Sequence, residues 1–163
     1  MNLGVNRFSV GIQAFQAELL AVCGRSHGVE DVERAIEALH AAQVPDWSLD
    51  LMSGLPHSTP ENWELNLRRA IDARPSHVSV YDLQLEPGTP FGRRFALGQS
   101  PLPTDAQAAD MYCSASRTLQ SAGYEHYEVS NFALPGRRSR HNLKYWLGEE
   151  FYGFGMGAAS YVQ

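Results

Sequence analysis

The chain has 163 residues, of which 44% are hydrophobic and 19% are charged, and its net charge is −5. This composition is that of a globular domain with enough apolar residues for one core. The negative charge gives no general attraction for nucleic acid or for an acidic membrane, and no run of about 18 apolar residues predicts a transmembrane helix.

Short apolar runs alternate with longer amphipathic stretches along most of the chain. The runs, which are predicted strands, are Arg7–Ile12, Trp47–Met52, His77–Leu83 and Tyr124–Phe132. The predicted helices are Ala17–Cys23, Val29–Gln43, one that begins at Pro60 after the cap Thr59, and one that Thr104 caps. This order predicts an α/β fold in which parallel strands are joined by right-handed crossovers, as in an incomplete barrel.

Three segments have neither pattern. They are a Gly/Pro-rich loop at Glu86–Thr104, a polar loop at Pro135–Lys144 and an apolar, glycine-rich segment at Phe151–Val162. The last contains GFGMG, but no helix is predicted after it, so the sequence does not support a dinucleotide-binding turn.

The two cysteines, Cys23 and Cys113, have no metal-type spacing. Both lie in apolar helical patterns, which predicts buried free thiols. Free thiols fit a reducing compartment, and the first residues do not have the basic-then-apolar pattern of a secretion signal. We therefore expect a cytoplasmic protein.

Polar residues follow or interrupt the predicted strands: Gln13, Asp50, Asp82, Gln84, Glu86, Glu128, Ser130 and Asn131. Sites in parallel α/β folds lie at the carboxyl ends of the strands. Asp50 stands within SLDLM, where an unpaired carboxylate is costly to bury. It is either a structural residue, with Arg25 as one candidate partner, or an acceptor for ligand hydroxyls. Gln13 either satisfies backbone groups or contacts a ligand.

The histidines do not form a metal-binding motif such as HExxH. His141, in the polar loop RHNLKYW, is by itself more typical of a surface residue, and His126 of a structural strand residue. Arg137, Arg138 and Arg140 crowd one loop, which favours a solvated loop over an anion site.

Six motifs occur in one order along the chain: GVNRFSVGIQAF, GRSH, LDLMSGLPHSTPENW, YDLQLEPGTPF, YEHYEVSNFALPG and SRHNLKYW. Together they resemble the radical S-adenosylmethionine (radical SAM) proteins of the oxygen-independent coproporphyrinogen III oxidase family. Within that family, EPGTPF, YEHYEVSNFA and HNxxYW are most similar to the branch described as haem chaperones. The resemblance extends from Asn2 to Val162.

The resemblance implies a partial parallel (β/α) barrel that binds S-adenosylmethionine and a [4Fe–4S] cluster held by a CxxxCxxC motif. In the oxidase, the reduced cluster cleaves S-adenosylmethionine, and the resulting radical starts decarboxylation of a coproporphyrinogen propionate. The protein supplies ligation, positioning and exclusion of water. The implied partners are a porphyrinogen or haem, an electron donor and, for the chaperone branch, a haem-acceptor protein; nucleic acid is not among them.

The resemblance also implies roles for individual residues. Gln13 matches a glutamine near the nucleoside part of S-adenosylmethionine. Arg25 matches the arginine that reaches the methionine carboxylate, for which a planar guanidinium is suited. Asp50 matches an aspartate of the same ligand pocket.

Three further positions are implied in the same way. Gln84 falls where backbone groups meet the adenine, and Ala159 falls near another adenosine contact. His141 belongs to HNxxYW, and a haem contact there is a hypothesis.

The chain also departs from the family pattern. It contains no CxxxCxxC motif, it has Ser53 where a tyrosine is common, and it has Ala159 where the chaperone branch often has histidine. We expect an internal fragment that is inactive alone, in which residues 1–134 form the second half of the barrel. Residues 135–163 would hold the HNxxYW loop and the start of a connection to a further domain.

Three functions therefore stay open from the sequence. They are a radical SAM oxidase acting on a porphyrinogen, a haem chaperone with the same cofactors, and an α/β domain without cofactor chemistry.

Overall fold

The computed structural model describes residues 4–162, so the boundary expected at Met1 lies outside the described residues, as does Gln163. The strands are β1 (Phe8–Gln13), β2 (Trp47–Ser53), β3 (His77–Asp82), β4 (Glu125–His126) and β5 (Asn131–Ala133). The helices are α1 (Ala17–Val22), α2 (Val29–Ala41), α3 (Pro60–Asp72), α4 (Pro90–Arg94), α5 (Asp105–Ser121) and α6 (Arg140–Trp146).

One sheet contains the described strands, in the order β1-β2-β3-β5-β4. β1, β2 and β3 are parallel, and helices connect them in sequence. β5 runs antiparallel to β3, and β4 runs antiparallel to β5. The parallel part confirms the predicted α/β fold class.

Helix caps stand where the sequence predicts them at the start of α3 and of α5. Thr59 and Thr104 each accept a hydrogen bond from the backbone N–H three residues on, and each belongs to a capping box. The two helices that follow, α3 and α5, are joined by Trp63, whose Nε1 donates to the Met111 carbonyl at 2.8 Å.

The core lies between the sheet and these helices. Leu49 and Leu51 of β2 and Val78 of β3 are fully buried among apolar helix residues such as Leu67 and Leu119. Because side chains alternate along a strand, the residues between them face the other side of the sheet. That side, called the inner face here, carries Ser9, Ser48, Asp50, His77 and Ser79. The inner face is therefore polar where the outer face is apolar.

The prediction of one strand over Tyr124–Phe132 is wrong. The structure has two short antiparallel strands, β4 and β5, with a turn at residues 127–130 between them. The turn is closed by the Tyr127 N–H, which donates to the Asn131 carbonyl at 3.3 Å. The polar residues of EVSN favour a turn over a continuous strand.

Two predicted loops contain short helices. Thr89 caps α4 within Glu86–Thr104, because its side chain accepts from the Gly92 N–H. Ser139 caps α6 in the same way within Pro135–Lys144, so His141 lies in a helix and not in a loop.

The prediction that both thiols are buried is also wrong. Cys113 is exposed, because it lies off the buried stripe of α5 formed by Met111, Ala115 and Leu119. Cys23, at the end of α1, is half-buried. Among residues 4–162, no helix has the length and apolar character needed to cross a membrane.

Candidate functional site

The carboxyl end of β1 has an unusual backbone at Gln13. Its φ angle is +69°, in the left-handed region, and the Ala14 N–H donates to the Ile12 carbonyl at 2.9 Å. The β1–β2 register also shifts between Gly11 and Gln13. A γ-turn with positive φ is rare and strained for a residue with a side chain, and such strain is concentrated at functional sites.

Neighbouring residues hold this turn in place. Ile12, Ala14 and Phe15 are buried in the core. The Phe15 N–H donates to the buried side chain of Asn66, in α3, at 2.7 Å. The packing of α3 against the sheet therefore determines the conformation of Gln13.

The Gln13 amide lies over Gly11. A Cβ atom added at Gly11 would stand 2.9 Å from Nε2 of Gln13. A glycine two residues before Gln13 therefore leaves the space that the amide occupies.

Gln13 and Arg25 line one cleft of about 280 Å³ together with Cys23, Gly24, Met52, Leu83 and Phe91. The Arg25 side chain is exposed, and none of the described carboxylates forms an ion pair with it. Burial raises the pKa of the Cys23 thiol, and the positive charge of Arg25 acts in the opposite direction. The cleft thus offers one cation, one amide and apolar walls, which suits a ligand with a carboxylate and a flat apolar part.

Asp50 is half-buried on the inner face, opposite Gly11 in register and two residues before Met52, which lines the cleft. Its carboxylate accepts hydrogen bonds from Ser9 Oγ at 3.0 and 3.2 Å and from Ser48 Oγ at 3.3 Å. Arg25, the partner considered from the sequence, does not form an ion pair with it. A carboxylate has about four acceptor positions, so Asp50 keeps acceptor capacity for hydroxyl groups of a ligand.

The hydrogen bonds of Asp50 continue along the inner face. Ser48 Oγ lies 2.8 Å from Nδ1 of His77, and Nε2 of His77 lies 2.8 Å from the Tyr127 hydroxyl. His77 is only 2% exposed, and burial lowers its pKa to about 4, so the imidazole is neutral. Ser48, His77 and Tyr127 were not predicted as site residues from the sequence. Polar residues at every second position of buried strands are the pattern that could have found them.

Two buried acceptors lie near the turn between β4 and β5. Oε1 of Glu128 and Oδ1 of Asn131 have no hydrogen-bond partner among the described residues. Asn131 is buried and pairs with Ser79 in register. Unsatisfied buried oxygens mark a place where a ligand or a water donates a hydrogen bond.

Gln84 lies in a neighbouring cleft of about 180 Å³ with Gly54, Asp82 and Leu97. Leu83 lines both this cleft and the Gln13 cleft. The two clefts therefore adjoin at Leu83, and Gln84 lies in a different cleft from Gln13 and Arg25.

His141 and Ala159 lie together in a third cleft, of about 620 Å³. Aromatic rings crowd it: the His141 and Tyr145 centroids are 5.0 Å apart, and those of Tyr145 and Phe151 are 4.7 Å apart. Phe154, which also lines the cleft, is 90% exposed. The predicted site residues thus fall into three clefts and the inner face. Among them, Gln13 shares a cleft with Arg25, and His141 shares one with Ala159. No group of three His, Cys, Asp or Glu side chains among the described residues could hold a metal ion.

Comparison with known proteins adds independent findings. The model of the radical SAM superfamily matches residues 1–70. The chain is 46% identical over 161 residues to the heme chaperone HemW of Synechocystis, covering 99% of this chain and 39% of that protein. It is 40% identical over 155 residues to HemW of Escherichia coli, covering 95% of this chain and 40% of that protein.

A third similar protein is the mitochondrial radical S-adenosyl methionine domain-containing protein 1 of Mus musculus, 37% identical over 155 residues, which covers 95% of this chain and 35% of that protein. Among solved structures, coproporphyrinogen III oxidase (HemN) from Escherichia coli, a radical SAM enzyme, superposes with a TM-score of 0.79 at 24% identity. That match covers 98% of this chain and 39% of that structure, and it shows the fold alone. The chain spans about two fifths of the length of the first two curated relatives described here.

Proposed function

Because residues 1–70 match the radical SAM superfamily and the chain is 46% identical to a HemW protein, we propose that it forms part of a protein of porphyrin and haem metabolism that uses S-adenosylmethionine. One observation carries this proposal. The strained, buried Gln13 and Arg25, which has no ion-pair partner among residues 4–162, line the same cleft at the carboxyl end of β1.

The residues present fit S-adenosylmethionine. Arg25 would bind the methionine carboxylate with its guanidinium, and Gln13 would contact the nucleoside with its amide. Asp50 would accept hydrogen bonds from hydroxyl groups. Met52 and Phe91 would exclude water from the apolar part of the ligand. Gln84 and Ala159 are proposed as peripheral adenosine contacts.

The [4Fe–4S] cluster of the family supplies one-electron chemistry when it is bound. The described residues do not fit it, since none of them form a cluster-binding set and the sequence has no CxxxCxxC motif. The contribution proposed for this chain is therefore binding and orientation of the S-adenosylmethionine and of the porphyrin.

Two functions of the whole protein remain alternatives. The first is oxidation of coproporphyrinogen III, and the second is binding of haem and transfer to an acceptor protein. The names of the relatives at 40% and 46% identity favour the haem chaperone. The open aromatic cleft that contains His141 has room for a flat ligand, and we propose haem as that ligand. The electron donor, the acceptor and a cytoplasmic location stay predictions.

Binding of S-adenosylhomocysteine, measured by titration calorimetry, tests the main proposal. We expect the wild-type chain to bind it and the Arg25→Gln variant to bind at least about tenfold more weakly, because a charge-assisted pair is lost. Arg68→Gln is the matched control, since Arg68 is an exposed arginine of α3 that pairs with Glu64 and does not line the Gln13 cleft. Equal affinities of the two variants would contradict the proposal.

Haem titration tests the cleft that contains His141. We expect His141→Ala to lose the change in the Soret spectrum that haem binding produces in the wild-type chain. An unchanged spectrum and affinity would exclude His141 as a haem ligand.

Anaerobic incubation of the whole protein with coproporphyrinogen III separates the two functions, since vinyl product supports the oxidase, and haem binding without product supports the chaperone.

A further inference from the structure

The hydrogen bonds on the inner face form one continuous chain of groups that ends at Asp50. At its far end, the backbone N–H of Ser139 donates to the Tyr127 hydroxyl at 3.3 Å. The Tyr127 hydroxyl contacts Nε2 of His77, and Nδ1 of His77 contacts Ser48 Oγ, both at 2.8 Å. Ser48 Oγ reaches Oδ1 of Asp50 at 3.3 Å. The chain therefore connects the cap of α6 to the carboxylate.

The direction of these hydrogen bonds depends on which nitrogen of neutral His77 carries the proton. If Nδ1 carries it, His77 donates to Ser48 and Ser48 donates to Asp50. Nε2 then accepts the Tyr127 hydroxyl proton, and every group in the chain donates once. Because each contact then has one hydrogen, no acceptor faces another acceptor.

The other tautomer would create unfavourable contacts in the hydrogen-bond chain. With the proton on Nε2, the Tyr127 oxygen would accept from both His77 and Ser139, and its own hydrogen would leave the chain. Ser48 would donate to His77, so its lone pairs would face the negative carboxylate of Asp50. The charge of Asp50 therefore selects the Nδ1–H tautomer.

We propose that His77 and Tyr127 are positioning residues that act through Ser48 to hold the Asp50 carboxylate in its ligand-binding orientation. Ser9 and Ser48 are the donors to Asp50 among the described residues, and they approach from β1 and from β2 itself. The remaining acceptor positions face hydroxyl donors of a bound nucleoside. This inference rests on the proposed function, which makes Asp50 a ligand contact.

The hydrogen-bond chain connects residues of several elements, and this distinguishes it from ordinary core packing. Tyr127 lies at the turn between β4 and β5, whereas Asp50 lies in β2. His77 of β3, opposite Ser48 in register, is the bridge between them. A change that frees the Tyr127 side chain would therefore alter the orientation of the Asp50 carboxylate, although Tyr127 does not contact Asp50.

Two substitutions of His77 separate positioning from packing. The amide nitrogen of His77→Asn lies near the position of Nδ1 and can donate to Ser48, whereas the longer His77→Gln side chain reaches toward Tyr127 and leaves Ser48 without that donor. We expect His77→Asn to bind S-adenosylhomocysteine within about twofold of wild type. We expect His77→Gln and Ser48→Ala to bind about fivefold more weakly, as for one lost hydrogen bond.

The double variants with Asp50→Asn complete the test. If His77 acts through Asp50, His77→Gln costs no further affinity in the Asp50→Asn background. Equal effects of His77→Asn and His77→Gln, or an undiminished loss in that background, would overturn the inference.

Nitrogen-15 NMR of the wild-type imidazole gives a readout that needs no ligand. We expect the shifts of a neutral ring protonated at Nδ1, and an Nε2–H ring would overturn the inference. Failure of the wild-type chain to bind S-adenosylhomocysteine would overturn the proposed function and the ligand role of Asp50 with it. The Nδ1–H shifts would in that case still show an intact hydrogen-bond chain, so the two failures are distinguishable.

Discussion

Gly11 lies beneath the Gln13 amide, and its lack of a side chain has a measurable consequence. In Gly11→Ala, the new Cβ would lie 2.9 Å from Nε2, so the amide must move. Since the amide ends a flexible side chain, we expect folding to be nearly unaffected. Binding of S-adenosylhomocysteine should weaken by about five- to tenfold, as for one displaced hydrogen bond.

The matched control for that substitution is Gly28→Ala. A Cβ at Gly28 meets only Oδ2 of Asp31, at an ordinary 3.9 Å, and Gly28 caps α2 away from the cleft. Calorimetric titration of both variants, with thermal melts of each, makes the comparison. Equal affinities for the ligand would show that Gln13 does not contact it.

His77 makes the stability of the fold depend on pH. Burial lowers its pKa from 6.5 to about 4 in the folded chain, with a further lowering from the charge of Arg7 and an opposing effect of Asp46. Between these two values the unfolded chain binds a proton that the folded chain does not. Stability should therefore fall by about 3 kcal/mol as the pH falls through this window. The contribution of neutral His77 to stability is fully present above pH 6.5.

Urea unfolding at several pH values measures this dependence. In His77→Asn the titrating group is absent, so the slope between pH 4 and 6.5 should become flatter. His141→Asn is the control for removal of a histidine outside the inner face, because His141 is exposed on α6. Identical slopes in wild type and His77→Asn would contradict the assignment.

At the scale of elements, local chemistry predicted some boundaries and missed others. The caps Thr59 and Thr104 were predicted, because a threonine before a polar first turn has a local effect on the backbone. The β4–β5 turn was missed because Tyr124–Phe132 has the alternation of a strand, and the pairing of β5 with β3 is a long-range contact. The γ-turn at Gln13 was missed for a similar reason, since Asn66 of a distant helix supports it.

The residues of the candidate site also divide into those that the sequence predicted and those that only the structure revealed. Gln13, Arg25 and Asp50 were predicted from their motifs, although Arg25 was also considered as the partner of Asp50. The donors to Asp50 are Ser9 and Ser48. Alternating polar residues indicate a polar face of the sheet, but they do not show which hydroxyl contacts which carboxylate. Geometry across strands decides such pairs, and a single strand cannot show it.

The cap of α3 provides a prediction for a single element. Thr59 Oγ1 accepts from the Asn62 N–H, and the Asn62 side chain accepts from the Thr59 N–H. Thr59→Ala should cost about 1 kcal/mol of stability because it leaves an N–H without its side-chain partner. Thr59→Ser keeps the hydroxyl and should stay close to wild type. Denaturant unfolding of the three proteins is the measurement, and an Ala variant as stable as the Ser variant would contradict the role of the cap.

The whole sheet has an open side at β1. Among residues 4–162, β1 pairs with β2 alone, so the backbone groups on its other edge are free to pair with another strand. Phe8 on this strand is 37% exposed. We therefore expect the isolated chain to associate as its concentration rises and to melt over a broad, aggregation-limited range.

A charge on this strand should reduce the association, because a lysine opposes pairing of one edge with another. We expect Phe8→Lys to shift the mass measured by light scattering toward the monomer and to sharpen the thermal transition. Val129→Lys is the control, since Val129 is 57% exposed but lies in the β4–β5 turn and not on the edge strand. A wild-type chain that stays monomeric and melts sharply would contradict association through β1, as would an equal effect of the two lysines, which would indicate a general effect of charge.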